Sequence, residues 1–151
     1  NLLYKPKNDF VRDFVGADRA LKGLQLMRIK EIMDTSPRTI RANEKTTGAK
    51  SYMEREKIEW LMVVDDNYTF LGWLGISDVA RKKGGKVKDI IIPPTALATS
   101  DTVLNEALSL MLSSAVGNLA VVDDKGKLEG VVNFNSIREV LGKTYNKERQ
   151  K

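Results

Sequence analysis

The chain has 151 residues, 42% of them hydrophobic and 30% charged, with a formal net charge of +5. That is length for one domain or two very small ones and apolar content enough for a core, which excludes wholesale disorder. With no cysteine and no histidine, a disulfide framework, thiolate chemistry, the commonest general base and the commonest transition-metal ligand are all excluded, and neither a metal nor a catalytic residue is expected.

No apolar run approaches the roughly 20 residues that cross a bilayer, and no charged-then-apolar secretory signal opens the chain, so a soluble, cytoplasmic module is the default expectation. The net charge favours anions without implying nucleic acid, and no nucleic-acid partner is expected.

In chain order, residues 1–25 read as a linker helix, residues 26–83 and 84–145 as two copies of one unit, and residues 146–151 as a polar tail that frays. The repeat has a period of 58 residues without gaps: Ile29 falls on Val87, Ala49 on Ala107, Met53 on Met111 and Leu61 on Leu119. Val63-Val64-Asp65-Asp66 falls on Val121-Val122-Asp123-Asp124, and Gly72 on Gly130. The first copy opens with a short helical RIKEIM and a Pro-containing break, then a strand in RTIRA. Asn43 is placed to cap the next helix, whose apolar stripe is Ala49, Tyr52 and Met53, weakened by Gly48. LMVVDD is a buried strand, DDNYTF a turn, FLGWLGI the partner strand and SDVARKK a closing helix. The second copy repeats the order with KVKDII, the strand ALAT, a cap at Ser100 or Asp101, and a helix with Val103, Ala107, Leu110 and Met111 on one face. LAVVDD, DDKGKL, LEGVVNF and NSIREVLGK complete it. The fold class is therefore α/β: two small sheets with helices, each copy βαββα, related by a pseudo-twofold. Each unit alone has too little apolar surface, so the two bury their open faces on each other. Apolar helix faces left over favour a homodimer of such modules.

The paired carboxylates Asp65-Asp66 and Asp123-Asp124 occupy hairpin turns, where Asp bonds its own backbone, and read as structural. No G-x-x-x-x-G-K-[ST] loop is present to cradle phosphates, and GADRALKG has the wrong spacing, so no ATP hydrolysis is expected of this chain.

The duplicated VVDDNYTFLGWLGISD and VVDDKGKLEGVVNFNS resemble a tandem pair of cystathionine-β-synthase-type (CBS) domains, the Bateman module. The leader NDFVRDFVGADRALKGLQLMRIKEIM is similar to the connector between ATPase and regulatory domains in ATP-binding subunits of osmoprotectant ABC transporters, which import glycine betaine, carnitine, choline or proline. The resemblance implies a regulatory region whose ATPase domain lies elsewhere, working with transporter membrane subunits at the inner face of the cell membrane. It implies further that adenine nucleotides lie in a cleft between the copies, where a G-h-h-[ST]-x-x-D pattern gives a hydroxyl to phosphate and a carboxylate to the ribose diol. Here Gly72-Trp73-Leu74-Gly75-Ile76-Ser77-Asp78 keeps the carboxylate at Asp78 but has glycine for the hydroxyl residue. Gly130-Val131-Val132-Asn133-Phe134-Asn135-Ser136 has Asn and Ser instead.

Those departures disfavour an ordinary AMP or ATP site and favour cyclic di-AMP at the inter-domain cleft or a dimer cleft, a ligand that the resemblance implies is held between two CBS modules in some transporters of this kind. Such a ligand needs flat apolar surfaces and a few amide or cationic donors. Ile40, Trp60 and Met62 in the first copy, and Asn118, Val131, Asn133 and Phe134 in the second, are the positions expected to face the cleft. Trp60 and Phe134 are candidates to stack, although a core or dimer-interface role for Trp60 and packing under the last helix for Phe134 stay open. Asn118 and Asn133 are candidates to read an adenine edge or a phosphate. The basic stretch RKKGGKVK is a solvated linker or, in the membrane setting the resemblance implies, a salt-screened patch for an anionic lipid surface. The alternatives are a dimerisation module with empty clefts, or an AMP- or ATP-sensing CBS pair of another protein.

Overall fold

The computed structural model describes residues 23–114 and 116–149. Of the linker helix expected over residues 1–25, residues 1–22 lie outside the described residues. The first half contains β1 (Thr39–Arg41), α1 (Thr46–Glu56), β2 (Trp60–Val64), β3 (Phe70–Gly75) and α2 (Ile76–Arg81). The second half contains β4 (Leu97–Ala98), α3 (Leu104–Leu112), β5 (Asn118–Val122), β6 (Leu128–Asn133) and α4 (Phe134–Arg149). Short 3-10 turns at Ile29–Glu31 and Val87–Ile90 precede the two halves. The α/β class and the βαββα order are as the repeat predicts. The last helix runs on through residues 146–149, which the charge pattern had set apart as a tail.

Each half builds a three-stranded sheet, β1-β2-β3 and β4-β5-β6. The first pair in each is parallel and the second antiparallel. Both antiparallel ladders slip register at matching points, between Val63 and Val64 and between Val121 and Val122. The LMVV and LAVV runs are buried on both faces, which is why they are continuously apolar rather than alternating. Leu61 and Val63 point into a core with Ala49, Met53, Leu74 and Val79. Leu119 and Val121 do the same with Ala107, Met111, Val132 and Ile137. The opposite faces carry Met62, Val64, Phe70 and Trp73 from one sheet and Ala120, Val122 and Leu128 from the other, and these pack together as a third apolar layer between the sheets. The hairpin turns meet across the same pseudo-axis: the Phe70 N–H donates to the Gly126 carbonyl and the Leu128 N–H to the Tyr68 carbonyl, each at 3.0 Å.

The two leaders are exchanged. Leu24 and Ile29 lie in the core of the second half, and Val87 lies in the core of the first. The Ile29 N–H donates to the Thr102 carbonyl at 2.8 Å, and the equivalent Val87 N–H to the Glu44 carbonyl at 2.9 Å. Asp34 exchanges two 3.0 Å backbone bonds with Val131 on β6, and Ile92 exchanges two 2.8 Å bonds with Trp73 on β3. This crossing explains the repeated glycine. A Cβ on Gly130 would lie 2.7 Å from the Asp34 carbonyl oxygen, and one on Gly72 would run into the Ile92 carbonyl and the Ile91 side chain. Gly72 also has φ 148°, which side chains avoid.

The caps differ from those read in the sequence. Asn43 does not cap α1, whose N-cap is Lys45, and neither Ser100 nor Asp101 caps α3, whose N-cap is Val103; neither cap residue makes a side-chain capping bond. The exchanged leaders supply the acceptors instead. The Thr46 N–H donates to the Gly85 carbonyl at 3.0 Å and the Leu104 N–H to the Met27 carbonyl at 2.9 Å. Backbone from the other half thus satisfies a helix-start amide that a side chain would otherwise serve.

The doubled aspartates close their turns as expected. Asp65 Oδ1 accepts from the N–H groups of Asn67 and Thr69 at 2.8 and 2.9 Å, and Asp123 Oδ1 from those of Lys125 and Lys127 at the same distances. These bonds hold both carboxyls below their ordinary value of 3.8, with the Thr69 and Lys127 N–H groups the respective main causes.

Gly130→Ala is expected to lower stability by about 1–3 kcal/mol through overpacking against the Asp34 backbone. Gly48→Ala, in a helix with open space around it, is expected to raise stability by about 0.5–1 kcal/mol. Denaturant midpoints measure both. Because folding depresses the Asp65 and Asp123 values, their contribution is present above 3.8 and lost as pH falls through the lower folded values. Asp65→Ala and Asp123→Ala are each expected to lower the melting temperature at neutral pH and flatten its fall in acid. Melting curves across the carboxylate range check this.

A candidate ligand groove at the rim of the inter-sheet layer

The apolar layer between the sheets opens where β2 begins and β3 ends. Trp60 shares the inward face of its strand with Met62 and Val64, because residues two apart on a strand face alike. Its register partner is Gly75. A Cβ on Gly75 would lie 2.8 Å from Trp60 Cζ3 and 3.3 Å from Asp78 Oδ2. The glycine that stands where a hydroxyl residue was looked for thus makes room for the indole.

Glu59, Trp60, Gly75, Ile76, Ser77 and Asp78 line a shallow groove of about 350 Å³. Asp78 also lines a second one of about 440 Å³, together with Arg81, Lys82 and the Ile90–Ile92 backbone and side chains of the other half's leader. Asp78 Oδ1 accepts from Arg81 Nη2 at 2.7 Å, one turn further along α2. The guanidinium side chain is 76% exposed and the carboxylate 29%. One groove therefore carries a π-face and two carboxylates; the other carries Asp78 with two cations and a wall of isoleucines, and the two meet at Asp78.

The structure places the other expected residues variously. Met62 is buried between the sheets at 2% exposure and does not reach the groove. Ile40 pairs with Val63 and packs in the first half's core, on the helix side of its sheet. One step in register decides this: its neighbours Thr39 and Arg41 pair with Met62 and Val64 and take the inward face. Val131 packs at the edge of the inter-sheet layer and bonds Asp34. Asn118 and Asn133 are register partners at the equivalent end of the second half. Asn133 caps α4, its Oδ1 accepting from the Ser136 N–H at 2.9 Å and hydroxyl at 3.2 Å. Phe134 packs against the second half's core beside Gly117. Trp60 and Asp78 are thus brought to one groove, while Asn118, Asn133 and Phe134 gather at its pseudo-symmetric counterpart. Sequence reading missed Arg81, Lys82 and the Ile90–Ile92 wall. The signals were the RKK run that ends the helix and the apolar III before two prolines.

Two βαββα halves joined through exchanged leaders, with a groove at the rim between their sheets, define a CBS pair. The chain belongs to the CBS domain family, which matches residues 29–85 and again 87–143. It is 28% identical over 143 residues to the carnitine transport ATP-binding protein OpuCA of Listeria monocytogenes, covering 93% of this chain and 36% of that protein. It is 31% identical over 142 residues to the osmoprotectant import ATP-binding protein OsmV of Salmonella typhimurium, covering 93% and 37%. The chain thus spans little more than a third of the curated relatives it matches first. Among solved structures it resembles CBSX2 of Arabidopsis thaliana, at 21% identity and TM-score 0.71 over 77% of this chain and 94% of that one. The complex of CBSX2 with AMP gives 22% and 0.68, over 77% and 96%. No helix among the described residues is long and apolar enough to cross a membrane.

Gly75→Ser is expected to push the Trp60 indole off its present seat at a cost of about 1 kcal/mol. The displacement reads as a shift in tryptophan emission, with Trp60→Ala in the same background abolishing the shift and most of the cost. An unchanged emission would mean that the indole does not depend on the glycine.

Proposed function

We propose that this chain is the regulatory CBS module of an osmoprotectant ABC transporter ATP-binding subunit, and that it senses an adenine nucleotide in the groove at Trp60 and Asp78. The observation that carries the reading is the meeting at Asp78 of two neighbouring grooves, one with the Trp60 face and the other with the Arg81 and Lys82 cations. A purine stacks on the first and a phosphate pairs with the cations, so the chemistry suits a nucleotide better than an osmolyte. The AMP complex of a protein with the same fold supports an adenine ligand. The relatives named as carnitine and osmoprotectant transport proteins support the transporter setting. There the module acts beside an ATPase domain and the transporter's membrane subunits, with two modules pairing.

Cyclic di-AMP is the favoured ligand. It offers two adenines to stack and two phosphodiesters, so that more than one anion is available to the Arg81 and Lys82 cations. The function follows by population shift: a ligand that prefers one arrangement of the halves favours that arrangement.

Calorimetric titration with cyclic di-AMP, AMP and ATP tests the proposal. Cyclic di-AMP is expected to bind most tightly and to raise the melting temperature. Trp60→Ala is expected to weaken it by about tenfold or more, the usual worth of a base stack. Binding by AMP or ATP alone would overturn the choice of ligand, and no binding by any of the three would leave a scaffold without a sensor.

A further inference from the structure

We infer that Arg81 is the residue that selects for phosphate on the groove's ligand, by holding Asp78 until an anion draws it away. The inference rests on the reading that the groove takes an adenine ligand. Among the described residues Asp78 is the one carboxylate lining the second groove, with Arg81, Lys82 and three isoleucines. Its bond to Arg81 is short, at 2.7 Å, yet the guanidinium arm is mostly in water. An exposed pair of this kind is weak, so a better anion competes for the guanidinium at little cost.

Two classes of guest meet different groups. A neutral nucleoside brings hydroxyls that seek Asp78 and nothing that seeks Arg81. It must share the carboxylate with the guanidinium or leave that cation without its partner. A phosphorylated guest brings an anion whose geometry suits the planar guanidinium fork. Arg81 then exchanges carboxylate for phosphate, no charge is stranded, and Asp78 becomes available to donors on the sugar. Lys82, beside it, adds attraction for the same charge. Arg81 thereby acts as a specificity residue through its hold on Asp78.

The test is calorimetry of adenosine, AMP and cyclic di-AMP on the wild-type chain and on Arg81→Gln, with circular dichroism to confirm that the variant is folded. Wild type is expected to prefer the phosphate-bearing ligands to adenosine. Arg81→Gln is expected to weaken them by about tenfold, leave adenosine unchanged or tighter, and reduce the loss of AMP affinity with added salt. Equal weakening of all three ligands, or unchanged affinity for the phosphates, would overturn the inference while leaving the functional reading standing. Failure of every ligand on both proteins would overturn the two together.

Discussion

The structure depends on a backbone crossing: each half's leader lies along the outer edge of the other half's sheet, at a position where only glycine fits. An outer strand such as β3 or β6 otherwise presents unpaired amides and carbonyls. Ile92 and Asp34 pair with those edges, and Gly72 and Gly130 allow the approach. The same leaders place Ile29 and Val87 in the opposite cores and give carbonyls to the opposite helix starts. Neither half has a closed edge, a complete core or a satisfied helix start without the other, so the pair behaves as one folding unit made from two copies of a motif.

Position of the groove follows from that constraint. The apolar layer between the sheets is closed at one end by the paired hairpin turns and opens at the rim near Trp60. There the symmetry of the repeat breaks. Where the first half has Trp60 against Gly75, the second has Asn118 against Asn133, and where the first has Asp78 the second has Ser136. Duplication gives both ends the same frame, and substitution gives them different chemistry: a π-face with a carboxylate and cations at one, an amide pair with a capped helix at the other. A single guest cannot be read identically by both.

Much of this was legible in the chain itself, for definite reasons. Val63-Val64-Asp65-Asp66 and its copy carry a buried strand, an aspartate that accepts two turn amides, and a hairpin in consecutive residues, all local signals. The core lines Ala49, Met53, Leu61 and Ala107, Met111, Leu119 recur at one spacing because each contacts its own half. The leader exchange was not legible, since identical interfaces accept either copy's leader and a sequence repeat cannot say which one is used. Asn43 and Ser100 or Asp101 looked like caps because capping patterns are local, whereas the acceptors come from Gly85 and Met27, roughly 40 and 75 residues away along the chain. Ile40 reads equally well on the cleft side, because a three-residue strand leaves its facing ambiguous by one step. Of the groove, Trp60 and Asp78 stood out by type, but Arg81 and the isoleucine wall are functional only through where the fold puts them.

The exchange also gives the groove its mechanical meaning. Asp78 and Arg81 belong to α2 of the first half, while Ile90–Ile92 belong to the leader that continues into the second. Ile92 is tied at both ends of its peptide to Trp73, whose ring packs edge-on to Phe70 at 5.5 Å in the inter-sheet layer. Ile90 and Ile91 pack against the first half's core, so a guest against that wall would touch α2 and a leader already locked onto the same half. Moving the leader off that core would take the wall with it, so the groove exists only in the exchanged arrangement.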